Sequence, residues 1–144
     1  MNSIKFKPSE FQQFDSLAKS TAIAHLTKKG FTVTENPDKY GVDLIVNKLE
    51  KMYYFEVEVK RSFTTFESLQ TYIHIPERKR KFFVLPNCFF MLFNATCDLA
   101  LIISGATILN HGIVIEKKTN RDYSVSDKFF SVSQELFKRI KIND

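Results

Sequence analysis

The chain has 144 residues, of which 44% are hydrophobic and 26% are charged, with only 4 glycines and 4 prolines. This composition excludes a low-complexity or collagen-like chain and predicts one globular domain over residues 1–144. The net charge of +5 is too small for a histone-like protein, and the 2 cysteines lack a metal-binding spacing. Neither a signal peptide nor an apolar run long enough to span a membrane is recognisable, so we expect a cytoplasmic protein with no membrane partner.

The first half of the chain predicts a helix followed by three strands. Residues 9–29 carry apolar side chains at spacings of three and four, which is typical of an amphipathic helix. A strand is expected at residues 31–35, and the runs 42–49 and 52–60 predict two strands that pair as a hairpin.

The second half predicts mostly strands, so the chain as a whole mixes helix and sheet. Its predicted elements are a short helix at 63–69, strands at 89–93, 99–103, 113–116 and 129–132, and a final helix at 134–140.

The predicted hairpin sorts its side chains onto two faces. With Glu50-Lys51 as the turn, one face is apolar and the other carries Asp43 directly opposite Glu58, with Glu56 and Lys60 beside them. Opposed carboxylates, about 5 Å apart at Cβ, repel each other unless a cation relieves the charge. Mg²⁺ takes one or two carboxylates with waters and phosphate oxygens, and Lys60 would hold an attacking water or stabilise phosphate charge. These residues therefore indicate metal-assisted phosphodiester hydrolysis.

The same stretch resembles a known nuclease motif. Gly41-Val42-Asp43-Leu44-Ile45-Val46 followed by Phe55-Glu56-Val57-Glu58-Val59-Lys60 resembles the core of the PD-(D/E)xK nuclease superfamily, which includes restriction endonucleases and Holliday-junction resolvases. The resemblance implies an α/β (α+β), restriction-endonuclease-like core: a central mixed sheet flanked by helices, in the order α-β-β-β-(α)-β-β, here with extra C-terminal strands and a final helix.

The resemblance also implies the roles of individual residues. Asp43, Glu58 and the main-chain carbonyl of Val59 would bind Mg²⁺ or Mn²⁺, and Lys60 would be the catalytic lysine. Asp38 follows Pro37, which matches the Pro-Asp pair that PD-(D/E)xK denotes, and it is an alternative to Asp43 as the first acidic residue of the motif. We prefer Asp43 because it lies on the strand, whereas Asp38 lies in a turn.

One position of the family pattern carries the wrong charge. Many relatives have a glutamate on the first helix that reaches the metal, and the equivalent place falls near Lys19 here. Asp15 or Glu10 could replace that acid, or Glu56 could supply the additional oxygen. The number of metals stays open, and Lys19 favours an alternative in which the chain binds nucleic acid or protein without cleaving.

A block of basic residues follows the motif. Arg78, Lys79, Arg80 and Lys81 lie between two prolines and are expected to contact substrate phosphates, Arg78 and Lys79 foremost. The predicted function is hydrolysis of DNA, selective for structure, ends or strands, in repair, recombination or the processing of a phage or mobile element. The sequence does not decide whether the chain acts as an endonuclease or an exonuclease, or whether it is a homodimer or a monomer.

Overall fold

Two β-sheets form the frame of the structure. The computed structural model describes residues 8–118 and 126–142. Within these ranges the elements are α1 (Pro8–Lys28), β1 (Thr32–Glu35), β2 (Leu44–Lys48), β3 (Lys51–Val59), β4 (Tyr72–Pro76), α2 (Arg80–Phe83), β5 (Cys88–Phe93), β6 (Leu99–Ser104), α3 (Gly105–His111), β7 (Ile113–Lys118), β8 (Ser126–Ser133) and β9 (Lys138–Lys141). The main sheet has the order β1-β2-β3-β5-β6-β9, and the second sheet has the order β4-β8-β7. Because β3 and β5 are parallel while their other neighbours are antiparallel, the main sheet is mixed, which confirms the predicted fold class.

The main sheet separates two hydrophobic cores. On one face, α1 packs through Ala18, Ala22 and Leu26 against the side chains of Leu44 and Phe55. The other face packs against the second sheet, α2 and α3 through a core rich in phenylalanine: Phe63, Phe83, Phe90 and Phe130. One face of the β2–β3 hairpin is therefore buried beneath α1, while the other face is only partly buried except at Glu56. None of the described helices has the length and apolar character needed to cross a membrane.

The hairpin has a different register from the predicted one. Its turn is formed by Leu49 and Glu50, with φ values of 52° and 65°, and β2 pairs with β3 so that Lys48 lies opposite Lys51 and Leu44 opposite Phe55. The predicted turn at Glu50-Lys51 is therefore wrong, and the register is shifted by two residues. A shift of two keeps every side chain on its predicted face, since strand side chains alternate with a period of two.

The segment between β3 and β5 also differs from the prediction. The expected helix at 63–69 is reduced to a single 3₁₀ turn at Phe66–Ser68, which Thr65 caps. Strand β4 follows, and then a 3₁₀ turn at Glu77–Lys79 runs directly into α2. The basic block is thus helical, divided between this 3₁₀ turn and α2.

The predicted final helix is wrong. Residues Gln134–Leu136 form a 3₁₀ turn, and β9 pairs antiparallel with β6, which places Ile140 opposite Ala100. The spacing of Phe137 and Ile140 fits a helix, but the open edge of β6 offers this segment a ladder of backbone hydrogen bonds instead. The strands expected at 113–116 and 129–132 are confirmed as parts of β7 and β8.

Candidate functional site

Asp43 lies immediately before β2 and is held by two hydrogen bonds to β3. The Val57 amide donates to Asp43 Oδ2 at 2.8 Å, and the Asp43 amide donates to Glu56 Oε1 at 3.2 Å. The residue opposite Asp43 is therefore Glu56, and the predicted opposition of Asp43 and Glu58 is wrong because of the shifted register. The carboxylates of Asp43 and Glu56 therefore lie close enough for the charge of Asp43 to raise the pKa of Glu56.

Glu56 is a buried carboxylate. Its residue is 4% exposed, and with Asn94 it makes up the buried polar residues of the described chain. Burial, opposed by the ammonium of Lys79 and reinforced by the charge of Asp43, raises the pKa of Glu56 to about 7. A buried carboxylate is stable only with a close cation or a bound proton, so Glu56 marks the centre of charge in this site.

Lys79 supplies a cation between the two glutamates of β3. Its Nζ lies 2.5 Å from Glu56 Oε2 and 3.9 Å from Glu58 Oε2, and its side chain is 13% exposed. The side chain of Glu58 is more open, at 32% exposed. The sequence indicated Lys79, with Arg78, as a foremost phosphate contact of the basic block, but it did not indicate the contact with Glu56, which depends on the unpredicted strand β4.

The first helix adds a second ammonium group. Lys19 Nζ lies 3.5 Å from Asp43 Oδ1 and 3.8 Å from Asp15 Oδ2. Partial burial acts to lower the pKa of Lys19, but the charges of Asp43 and Asp15 outweigh it and raise that pKa. The helix position inferred for the family's acid thus does face Asp43, and it carries a lysine. Asp15 lies one helical turn before Lys19 on α1. Glu10 is also on α1, but its side chain is not among the side chains that the structure describes.

Lys60 lies directly after β3 and borders a different depression. Its amide donates to the Phe93 carbonyl at 2.9 Å, which extends the pairing with β5 by one residue. The depression has a volume of about 180 Å³ and is lined by Glu58, Val59, Lys60 and His74, among others. Burial lowers the pKa of His74, and the positive charges of Lys117 and Lys60 lower it further. Glu58 therefore stands between the Lys60 depression and the groove that contains Asp43 and Glu56.

Two clefts meet at the carboxylates. One, of about 340 Å³, runs past Phe14, Asp15 and Arg61, and the other, of about 300 Å³, runs past Lys39, Tyr40 and Lys81. Both clefts are lined by the same four residues where they meet: Asp43, Glu56, Arg78 and Lys79.

The basic block divides between this junction and the surface beyond it. Arg78 and Lys79 line both clefts, and Lys81 lines one of them. Arg80 instead donates from Nε to Glu77 Oε1 at 2.9 Å, and its guanidinium lies 4.9 Å from the centre of the Phe130 ring. Arg80 therefore has a packing role in addition to its charge.

The donor chemistry of the site fits a hard divalent cation. Asp43, Glu56 and Glu58 offer carboxylate oxygens, and the closeness of Asp43 to the buried Glu56 creates a repulsion that a cation relieves. Within residues 8–118 and 126–142, no three His, Cys, Asp or Glu side chains are grouped tightly enough to enclose a metal alone. The fit is thus to Mg²⁺ or Mn²⁺ held by one or two carboxylates and waters.

The fold is α+β with a central mixed sheet flanked by helices. In particular, the structure is similar to a bacterial homing endonuclease, I-Ssp6803I, with a TM-score of 0.50 and 17% identity over 84% of this chain and 82% of that chain. It also aligns with D212, a nuclease from a fusselovirus, with a TM-score of 0.48 and 14% identity over 96% of this chain and 90% of that chain. No protein-family model and no curated protein matches the sequence. At this identity the likeness to the homing endonuclease shows a shared fold.

Proposed function

We propose that the chain is a metal-dependent nuclease that hydrolyses DNA phosphodiester bonds. The observation that carries the proposal is that Asp43 and Glu56 lie at the junction of two clefts lined by basic side chains, while Glu58 lines one of these clefts and lies 3.9 Å from the same Lys79 ammonium. Carboxylates that bind a hard cation, next to groups that bind phosphate, are what metal-assisted phosphodiester hydrolysis requires. The fold shared with a homing endonuclease supports this chemistry.

Each residue of the site has a role in this proposal. Asp43 and Glu58, with the Val59 carbonyl, would hold Mg²⁺ or Mn²⁺, and Glu56 would orient Asp43 through the hydrogen bond from the Asp43 amide. The bound cation would supply Lewis-acid stabilisation and a water of lowered pKa. Lys60, next to Glu58, would orient the attacking water.

The basic residues would hold the substrate. Arg78 and Lys79 line the junction of the clefts and would bind non-bridging phosphate oxygens beside the carboxylates. Lys81 and Arg80 lie farther along the same turn and would contact phosphates outside the junction. This arrangement suits recognition of DNA structure or ends, because phosphate contacts carry no base sequence.

A second function is favoured by Lys19. Its ammonium lies 3.5 Å from Asp43 Oδ1, in the direction from which the family's helix acid would reach a metal. With Lys79 on Glu56, the carboxylates have internal counter-ions without any metal. In this alternative the chain binds nucleic acid or a protein partner without cleaving it.

A cleavage assay separates the two functions. Purified protein is incubated with plasmid, single-stranded and branched DNA, each in Mg²⁺, in Mn²⁺ or in EDTA. The nuclease proposal expects cleavage only with metal, and it expects Asp43→Asn and Lys60→Met each to reduce the rate about a hundredfold or more.

The matched control variants lie away from the carboxylates. Glu116→Gln and Lys138→Met remove an acid and a lysine from exposed positions on β7 and β9, and both should cleave like the unmodified protein. DNA binding that is unaffected by EDTA, with no cleavage in any of the conditions, would support the binding function and contradict the nuclease.

A further inference from the structure

The cleft on the Tyr40 side of the junction has the size and lining of a nucleotide site. Its volume of about 300 Å³ is roughly ten times that of one water molecule and lies at the lower end of small-ligand sites. One wall is the turn at Lys39, Tyr40 and Gly41, and the facing wall carries Lys81 and Phe82. Asp43 and Glu56 form the end of the cleft at the junction.

Tyr40 is presented by a turn that is already ordered. The Asp38 amide donates to Asn36 Oδ1 and the Tyr40 amide donates to Asp38 Oδ1, each at 3.0 Å. The Gly41 amide donates to the Asp38 carbonyl, also at 3.0 Å. A Cβ on Gly41 would lie 2.5 Å from Asn36 Nδ2, so the close packing of this turn requires glycine or a shift of Asn36. The side chain on this rigid support is nonetheless 74% exposed.

The exposed ring of Tyr40 is accessible to a ligand in the cleft. It remains open to solvent, and among the described residues its hydroxyl makes no hydrogen bond. The ring lies 5.4 Å from Lys39 Nζ, and Lys81 Nζ lies 5.0 Å from the centre of the Phe82 ring on the facing wall. Each wall thus pairs an aromatic face with a cation, which are the two groups that bind a base and its phosphate.

The charge of the cleft favours an anionic ligand. Four cationic side chains line it against two carboxylates: Lys39, Arg78, Lys79 and Lys81 against Asp43 and Glu56. Lys79 is engaged by Glu56, but Lys39 and Lys81 are exposed. These two remain available for phosphate oxygens.

We propose that this cleft binds one unpaired nucleotide of a single-stranded segment, with its base stacked on Tyr40 and its phosphate held by Lys39 and Lys81. Inside a duplex each base is already stacked between its neighbours and presents no free face, and at a blunt end only the paired terminal bases do, so Tyr40 selects an unpaired nucleotide. The inference rests on the proposed function for the placement of the scissile phosphate at Asp43. The DNA would therefore have single-stranded character next to the cleavage point.

Fluorescence anisotropy in EDTA tests the inference without any cleavage. The probes are a fluorescein-labelled hairpin duplex with a blunt end, its loop replaced by a non-nucleotide linker so that it has no unpaired nucleotide, and the same hairpin with an oligothymidine tail, in both polarities. Tyr40→Ala should weaken binding of one tailed hairpin about tenfold and leave the blunt hairpin unchanged, and Tyr40→Phe should retain the affinity. Tyr72→Ala is the matched control, since Tyr72 is an exposed tyrosine on β4, away from the cleft.

Each outcome of this experiment decides the inference. Equal affinities of Tyr40→Ala and Tyr72→Ala for both tailed hairpins would overturn it, and so would a loss that is the same on the blunt hairpin. Selective loss in Tyr40→Ala supports it even if no DNA is cleaved, in which case only the nuclease proposal fails. If the protein cleaves DNA only with metal, but Tyr40→Ala does not change its affinity for the tailed hairpins, the nuclease proposal is supported and this inference is contradicted.

Discussion

Glu56→Gln should change the pH dependence of stability in the metal-free protein. The folded-state pKa of Glu56 is raised to about 7 from 4.5, chiefly by burial and further by the charge of Asp43, while Lys79 opposes the rise. The folded protein therefore keeps a proton that the unfolded chain releases between these two pH values. A carboxyl with a raised pKa favours folding at low pH, and that contribution is lost as the pH rises through the folded-state pKa.

The size of the effect follows from the two pKa values. At about 1.4 kcal/mol for each pKa unit, the rise from 4.5 to about 7 corresponds to about 3 kcal/mol. Titration of Glu56 should lower the free energy of unfolding of the unmodified protein by this amount between pH 4.5 and about 7. Above that range Glu56 should contribute little further change. Glutamine cannot titrate, so Glu56→Gln should gain on the unmodified protein by about 3 kcal/mol over the same interval.

Urea unfolding at several pH values in EDTA measures this difference. Because the chain has no tryptophan, far-ultraviolet circular dichroism or tyrosine fluorescence is the signal. Taking the difference between the two proteins cancels the histidines, including His74, whose pKa burial lowers. Glu116→Gln, at an exposed position on β7, should show no such trend. A difference between Glu56→Gln and the unmodified protein that stays constant from pH 4.5 to 8 would refute the buried-carboxylate argument.

Three further predictions follow from single contacts. Lys79→Met removes the cation that lowers the pKa of Glu56, so a ¹³C NMR titration should show that pKa rising above about 7; a fall would contradict the ion pair. Replacing Leu49-Glu50 by Asn-Gly should raise the free energy of unfolding by about 1 kcal/mol, because φ values of 52° and 65° strain both residues and Leu49 is 90% exposed; unchanged urea midpoints would contradict this. Burial, with the charge of Glu56, raises the pKa of Cys88 to about 12, so its thiol should react with Ellman's reagent at pH 8 only after unfolding; rapid reaction of the native protein would contradict it.

The elements with strong local periodicity could be predicted from the sequence. The apolar stripe of residues 9–29 gives α1 within one residue at each end, because Ala18, Ala22 and Leu26 must share one buried face. The alternation around Asp43 and Glu58 likewise assigns each hairpin side chain to the correct face. Both are properties of a single chain segment, which is why no tertiary information was needed.

The register of the hairpin could not be predicted because the turn breaks a local preference. Glu50-Lys51 is the more polar pair, whereas the actual turn places Leu49 at a positive φ that leucine rarely adopts. Both registers place Leu44, Val46 and Phe55 on the face toward α1, so burial of that face does not choose between them. In the observed pairing Leu44 lies opposite Phe55, and the contacts made in this register outweigh about 1–2 kcal/mol of strain for each residue in the turn.

The contact of Lys79 with Glu56 depends on the second sheet. Strand β4 pairs with β8, which lies more than fifty residues later, and this pairing directs the Glu77–Lys79 turn toward β3. The same is true of β9, whose helix-like spacing is overruled by pairing with β6. Interactions between distant segments decide both cases, and no local pattern in the chain encodes them.

The charge balance of the site gives a last test between cleavage and binding. When all three are ionised, the carboxylates of Asp43, Glu56 and Glu58 are not fully offset by the two ammonium groups that contact them, Lys19 and Lys79, although the surrounding clefts are basic, so a phosphate is repelled at the carboxylates themselves. A divalent cation would reverse the sign of the charge there. The nuclease proposal therefore expects Ca²⁺, used as a probe that does not support cleavage in many metal-dependent nucleases, to tighten binding of labelled DNA. It expects Asp43→Asn to lose most of this gain while binding DNA in EDTA at least as well as the unmodified protein, since one repelling charge is gone. Equal anisotropy titrations with and without Ca²⁺ would show that the lysines alone complete the site, which is the arrangement that a non-cleaving binding protein needs.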